Sequence, residues 1–370
     1  MPGAIRVGEA RAAFVRLQTL ADTKKPGPII LSWSEVSSIA TLAGRASNID
    51  RVAVKRAGGD LTIEASLPWR MGFWLNLSAT VASGEGGFPP VSLKLGHLTL
   101  PPAASRWVLE GARWLANRRG ARLPPIDNLV RKTEFSGQAI TATVLLPRWV
   151  GLTDTVNPTS PVNQQMVEAA YCRLSALQAK RPATELSSFL NRAFEGQPGT
   201  VEANRATFVA LAVLIIPDRS DRLVGELSAA MTRCATPYRE IHLLDRADLA
   251  KHWTLSAALT ASFGSNFSRE LGTWKEISDS GPGGSGFSFI DLSADRSGVR
   301  YGERASNPDT SAAAARALAT VSNEQILPLH ALALAEGLTE DEFKARFTST
   351  ESGRYSRMIA RIDRVLDEQD

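Results

Sequence analysis

Between Asp248 and Gly298 the chain carries acidic groups and an imidazole at helical spacing. Asp248 and His252 are four residues apart, Glu276 and Asp279 three, and Asp291 and Asp295 four. Side chains at these separations share a helix face. Here the faces also hold Ala, Leu, Ile and Gly, as packed helices do. Carboxylates in such company are costly to bury unless they are paired or used. Glu276, close to Asp279, is expected to feel like-charge repulsion and to keep its proton to higher pH. Asp291 is expected to stay charged, because Ser288 suits a helix cap and would place Asp291 at the positive end of the helix dipole.

Two carboxyls held at different pKa values suit general acid/base chemistry. In a glycan hydrolase Glu276 would protonate the leaving oxygen, and Asp291 or Asp295 would handle water or the cation-like transition state. His252 would share a proton or orient a carboxylate. Asp279 completes the expected catalytic group. Asp248, Trp253, Trp274, Ser285, Ser288 and Arg296 are the expected substrate-binding neighbours. Trp253 and Trp274 could stack on sugar, but core packing competes for each. Lys275 adjoins Glu276 in sequence, so it is expected to point elsewhere, to the surface or to another acid. A closed polar network gives the same pattern, with Asp248 and His252 paired within one helix and Arg296 neutralising Asp295 or Asp291. No cofactor and no metal are expected. The alternative is a divalent ion, for which one His and several carboxylates suit Mg²⁺, Mn²⁺ or Fe better than zinc. HExxH, GxSxG and P-loop motifs do not occur, which counts against the chemistries they carry.

Taken in order, the motif is Asp248-x-x-x-His252, Gly272-x-x-Lys275-Glu276-x-x-Asp279-Ser280, Gly284-Ser285-Gly286-Phe287-Ser288-Phe289-x-Asp291-Leu292, then Asp295 and Gly298. It resembles the YfiM-like predicted periplasmic lipoproteins. It is more distantly similar to VanZ-like proteins, which share an Asp/His helix, a Glu-bearing helix and an Asp-bearing helix. The chain departs from the YfiM-like pattern in having Phe at positions where Trp is expected, and in its large flanking regions. The resemblance implies a periplasmic or extracytoplasmic protein, membrane-anchored before any trimming. It implies a cell-envelope role and supplies no established reaction; action on, or recognition of, an envelope glycan or lipid-linked precursor is the expected function.

The elements that must position these residues divide in two. Residues 1–150 read as an α+β domain, a twisted antiparallel sheet with helices. A helix is expected from LSWSEVSSIATLAG, with Ser34 as cap, and a hairpin around Gly58 and Gly59. FWLNLSATVAS, VSLKLGHLTLP and GQAITATVLLP each read as a strand. AASRWVLEGARWLANRRG reads as an amphipathic helix whose apolar side is Trp107, Leu109, Ala112, Trp114 and Leu115. The run VSLKLGHLTLPPAASRWVLE resembles YpmS-like, membrane-anchored extracytoplasmic proteins, which implies contact with lipid or a partner. Residues 151–165 read as a linker, and 166–370 as an all-α domain carrying the Asp/His/Glu/Asp site. PLHALALAEG is expected on an apolar helix with His330 in the core, and Thr339 as the cap of the next helix.

The 370 residues carry a net charge of +4. That mild excess favours an anionic surface but not nucleic acid, since no basic run interleaved with aromatics occurs. Contact with a membrane surface stays open. No run of about 18 apolar residues is present to span a bilayer. Cys172 and Cys234 either bridge, in an oxidising compartment, or stay as thiols.

Overall fold

A computed structural model describes residues 13–368 apart from 146–161, 218–228 and shorter stretches within 14–24, 47–50, 58, 69–73, 86, 119–123, 137–138 and 351. The chain divides into two compact units, Pro2–Trp149 and Val150–Asp370. Antiparallel sheets fill the first and helices the second, so the chain is α+β.

The first unit contains β1 (Gly27–Ser32), α1 (Trp33–Ala46), β2 (Arg51–Ala57), β3 (Asp60–Pro68), β4 (Trp74–Val81), β5 (Gly84–Glu85), β6 (Val91–Leu95) and β7 (Leu98–Leu100). It continues with α2 (Pro102–Arg118), α3 (Ile126–Leu129), β8 (Val130–Phe135) and β9 (Ala139–Val144). Where one sheet was expected there are two, in strand orders β2-β3-β4-β6-β7 and β1-β9-β8-β5. The expected hairpin is present, with Ala57 opposite Asp60. VSLKLGHLTLP is a second hairpin, not one strand: Leu95 faces Leu98, and Gly96 turns the chain at φ +57. Glycine reaches that region without Cβ strain. Ser32, not Ser34, caps α1. Its Oγ accepts the Glu35 N–H at 3.2 Å, and its own N–H donates to Glu35 Oε2 at 2.7 Å.

Helix α2 faces opposite to expectation. Ser105 is fully buried; its Oγ accepts the Leu93 N–H at 2.9 Å and donates to the Leu100 carbonyl at 3.0 Å. Those bonds turn the Ser105 side to the sheet and leave Trp107, Trp114 and Leu115 exposed.

The second unit runs α4 (Gln164–Lys180), α5 (Leu186–Phe194), α6 (Val201–Ile215), α7 (Ala229–Cys234), α8 (Ala247–Phe263), α9 (Ser265–Asp279) and α10 (Phe289–Ser306). After these come α11 (Ser311–Leu318), α12 (Asn323–Ile326), a 3₁₀ turn (Leu329–Ala333), α13 (Glu340–Phe347) and α14 (Gly353–Asp367). Most of the expected linker, 151–161, lies outside the described residues, as does much of the helix expected before Cys234. Asn163 caps α4 by accepting from the N–H groups of Gln165 and Met166. A disulfide joins Cys172 in α4 to Cys234 in α7. PLHALALAEG does not form an α-helix. Pro328 lacks an N–H and holds Leu327 extended, so only the 3₁₀ turn follows and His330 is exposed. Thr339 caps α13 in a capping box with Glu342.

Helix α8 is the centre of this unit and packs against α6, α9 and α10. Its contact with α10 is close because α10 presents Gly298 and Gly302. A Cβ on Gly298 would lie 2.2 Å from the Trp253 carbonyl oxygen, and one on Gly302 would lie 2.8 Å from that of Ala257. Both obstructions are main chain, which cannot rotate aside. Gly298→Ala is therefore expected to push α10 off α8 and to lower the unfolding free energy by about 1–3 kcal/mol or more. Urea denaturation followed by far-UV circular dichroism reads this, and an unchanged midpoint would contradict the close helix contact.

Candidate functional site

Three elements bring the motif together. Helix α8 supplies His252 and Ser256, α9 supplies Lys275, Glu276 and Asp279, and α10 supplies Asp291 and Asp295. The glycine-rich turn between α9 and α10 is tied down at both ends. The Gly286 N–H donates to the Asp279 carbonyl at 2.7 Å, and Phe287 exchanges two backbone hydrogen bonds with Leu338. Phe287 and Phe289 then pack into an aromatic cluster with Phe343, Phe347 and Tyr355, which anchors the start of α10. Ser288 caps that helix as expected, its Oγ accepting the Asp291 N–H at 3.0 Å. Asp291 thus sits in the first turn, where the helix dipole favours negative charge.

Lys275 stands at the middle of the cluster: it partners other acids, one of the two expected places, and also its neighbour Glu276, which was not expected. Its Nζ lies 2.7 Å from Glu276 Oε1, 3.1 Å from Asp279 Oδ2 and 3.3 Å from Asp291 Oδ2. It is also 3.0 Å from His252 Nε2. Spacing of i and i+1 argues against facing neighbours on a helix, but the long lysine stem reaches back. The same ammonium also takes up its i+4 partner Asp279, a pairing the sequence does contain.

His252 pairs with α10, not with Asp248 of its own helix. Its Nδ1 is 3.0 Å from Asp295 Oδ1, which also accepts the Ser256 hydroxyl at 2.8 Å. Its Nε2 is 3.3 Å from Asp291 Oδ2. Burial pushes the His252 pKa down, but the charge and hydrogen bond of Asp295 outweigh it and, with Asp291, raise it to about 9. Asp295 fits under α9 because residue 272 is glycine; a Cβ there would meet Asp295 Oδ2 at 2.8 Å.

The Glu276 side chain is 0 % exposed. Oε1 accepts from Lys275, and Oε2 accepts the Ser288 N–H at 2.8 Å. Its pKa rises to about 7, chiefly through burial; Lys275 pulls it down, and the neighbouring charge that raises it is Asp291, not Asp279 as the sequence suggested. Among the described residues four carboxyls meet one ammonium and one imidazole, with the Arg246 guanidinium at 3.7 Å from Asp291. A proton on Glu276 relieves part of that negative excess. Asp291 Oδ1 and Asp295 Oδ2 are buried and accept no hydrogen bond.

Among the expected binding residues, Asp248 lies at the rim with Arg246, which donates to it at 2.5 Å and also to Glu336. Arg246 Nη2 is 3.7 Å from Asp291 Oδ1, so it links the rim to the cluster. Neither Arg246 nor Glu336 belongs to the motif, and only the fold brings them in. The others take different places. Trp253 is fully buried and donates from Nε1 to Ser297 Oγ at 3.0 Å, which makes it core. Arg296 turns away to Asp363, bound at 2.7 and 2.5 Å, and neutralises neither Asp291 nor Asp295. Ser285 is exposed on the turn, Ser288 is buried as the cap, and Trp274 is half-buried. Asn204 is structural: its Nδ2 donates to the carbonyls of Ala305 and Ser311, each at 3.0 Å.

Ligand atoms of His252, Glu276 and Asp295 lie within 4.8 Å of one another, as do those of Asp248, Asp291 and Glu336. The donor set of one imidazole and carboxylates suits a hard or borderline divalent ion. The Lys275 ammonium borders the first group and the Arg246 guanidinium the second, so an ion would have to displace either cation. Among the described residues no helix is long and apolar enough to cross a membrane. Comparison with family models, with curated proteins and with solved structures returns no match.

Proposed function

We propose that the helical unit recognises an envelope glycan or lipid-linked precursor at this cluster and hydrolyses it by acid/base chemistry. The observation that carries the reading is the packing of four carboxyls around Lys275 and His252, with Asp291 and His252 reachable by solvent. Ionisable groups shifted by burial and specific charge partners cluster at functional sites. Placement in an oxidising compartment outside the cytoplasm draws support from the Cys172–Cys234 bridge, and from the motif's YfiM-like pattern.

The geometry redistributes the roles within the cluster. Glu276 is sealed, with both oxygens bonded, so it does not touch a leaving oxygen; it positions Lys275 and tunes its charge. Asp291, His252, Asp279 and Lys275 have the solvent-reachable side chains. Asp291 and His252 are the groups that would meet the scissile bond, with Asp295 fixing the imidazole by its Nδ1. A second reading, a non-catalytic assembly or lipid-binding module with a cluster that only fixes helix packing, draws on the complete pairing of Glu276. A divalent ion replacing the Lys275 ammonium is a variant of the first reading, and elemental analysis of protein purified without chelator reads it directly.

Asp291→Asn separates the readings. It keeps volume and removes charge, so the melting temperature is expected to stay within a few degrees. Release of soluble fragments from purified cell-wall glycan or lipid-linked precursor is expected to fall about 100-fold or more. Glu276→Gln is expected to move the pH profile of that release. If the wild type releases and retains nothing from any envelope fraction, the catalytic and recognition reading is wrong and the packing reading stands.

A further inference from the structure

The exposed side of α2 is a separate feature, in the first unit, with no part in the cluster. Trp107 is 82 % exposed, Trp114 55 %, Val108 50 % and Leu115 44 %. With Ala104 and Gly111 they fall at i, i+3, i+4, i+7, i+10 and i+11 and form one continuous face. A Cβ on Gly111 would meet nothing within 4 Å, so the face is open along its middle. Two tryptophans at such exposure in one helix exceed the scattered apolar residues of ordinary surfaces. The helix is held by its other side, through Ser105, so this face contributes little to the fold.

The charge around it is uneven. Residues 102–132 contain seven Arg or Lys against two Asp or Glu, an excess of +5, while the whole chain carries +4. The remainder is therefore close to neutral, and the basic character of the protein is concentrated here. The Arg118 guanidinium lies over the Trp114 ring, 4.5 Å from its centroid, at the C-terminal end of the apolar face. Arg106 and Arg113, seven apart on one flank, are paired with Asp127 and Glu110, so the excess rests on the other five basic residues, Arg118 among them. A second copy of this chain would set excess positive charge against excess positive charge. An anionic surface complements it.

We infer that α2 is an interfacial helix that lays Trp107, Val108, Trp114 and Leu115 into the headgroup region of a bilayer rich in anionic lipid. Tryptophan prefers that depth because its ring is apolar and its N–H needs a polar partner. Arginine keeps its head with the phosphates while its stem follows the apolar layer. Basic residues add to the apolar attraction at a negative membrane surface. One face of this size gives a reversible association and not a permanent anchor.

The test uses the full-length chain and vesicles of phosphatidylcholine, with or without phosphatidylglycerol. The wild type is expected to sediment with phosphatidylglycerol vesicles and weakly with phosphatidylcholine alone, and high salt should release it. Brominated lipid is expected to quench part of its tryptophan fluorescence. Trp107→Ser with Trp114→Ser is expected to weaken sedimentation about tenfold or more, with the melting temperature unchanged because both rings are already exposed. Arg118→Glu should weaken binding to phosphatidylglycerol vesicles alone. Absence of wild-type sedimentation, or equal sedimentation of the double variant, overturns the inference. So does a concentration-dependent dimer that the double variant abolishes while vesicles bind neither protein.

Discussion

Lys275→Met is expected to destabilise the protein by about 1–2 kcal/mol at pH 8, because the lysine is partly exposed and Glu276, at about 7 beside the ammonium, takes up a proton when that ammonium is lost. The reason is Glu276, whose Oε1 relies on that ammonium and which has no exposed surface. Methionine fills similar volume but offers no charge and no donor. Asp279 and Asp291 lose the same partner, but both have some solvent access and are penalised less. At pH 5, below the Glu276 pKa of about 7, the carboxyl takes a proton and needs no counter-charge, so the loss should shrink to a small part of its value at pH 8. Urea denaturation of the variant and wild type at the two pH values measures this. Combining Lys275→Met with Glu276→Gln should recover most of the loss at pH 8. A variant as stable as the wild type at pH 8 would mean that Lys275 does not stand where it is placed here.

Raising the pH from 5 to 9 is expected to lower the stability of the wild type throughout that range. Glu276 titrates at about 7 in the folded chain against an ordinary 4.5. The folded state then binds the proton more tightly than the unfolded state, so stability is greatest below about 4.5 and falls as pH rises towards 7. His252 titrates at about 9 against 6.5. Its contribution is complete below about 6.5 and is lost as pH climbs through 9. The two windows follow each other and the signs agree. Each shift corresponds to about 3 kcal/mol at 1.36 kcal/mol per pKa unit. Because the two groups share Lys275 and Asp291 as neighbours, the total fall is expected at about 3–6 kcal/mol. Glu276→Gln should flatten the curve between pH 5 and 7, and His252→Gln should flatten it between 7 and 9. A melting temperature independent of pH across this range would count against both assignments.

The motif's spacing located the cluster, because helical periodicity decides which residues can share a side. It could not decide which helix each side chain faces. His252 might have met Asp248 on α8; the glycines of α10 bring Asp295 closer. The Lys275–Glu276 contact is hidden for the same reason, since adjacency along a helix says where a Cβ points but not how far a four-carbon stem reaches. Arg246 and Glu336 are ninety residues apart in the chain, and nothing local to either marks the pairing. Burial was the other hidden quantity. Glu276 reads in sequence as a group that meets substrate and is enclosed by the packing of the helices, while Trp253 takes the core place that competed with sugar stacking.

In the first unit the alternation of apolar residues marked most strands, but not that they divide between two sheets. The orientation of α2 was lost because hydrophobicity alone assigned the side facing inward. One buried serine, satisfying an N–H and a carbonyl of the adjoining hairpin, outweighed two tryptophans.

The glycines at 298 and 302 have one more effect. Where two helices touch main chain to main chain, their separation cannot relax when a side chain gains or loses a proton. The imidazole and its aspartate are thereby held at fixed range by the polypeptide itself, like jaws set in a vice. Whatever changes shape as this centre takes up or gives away a proton must be the one flexible arm among them, the lysine reaching over from α9.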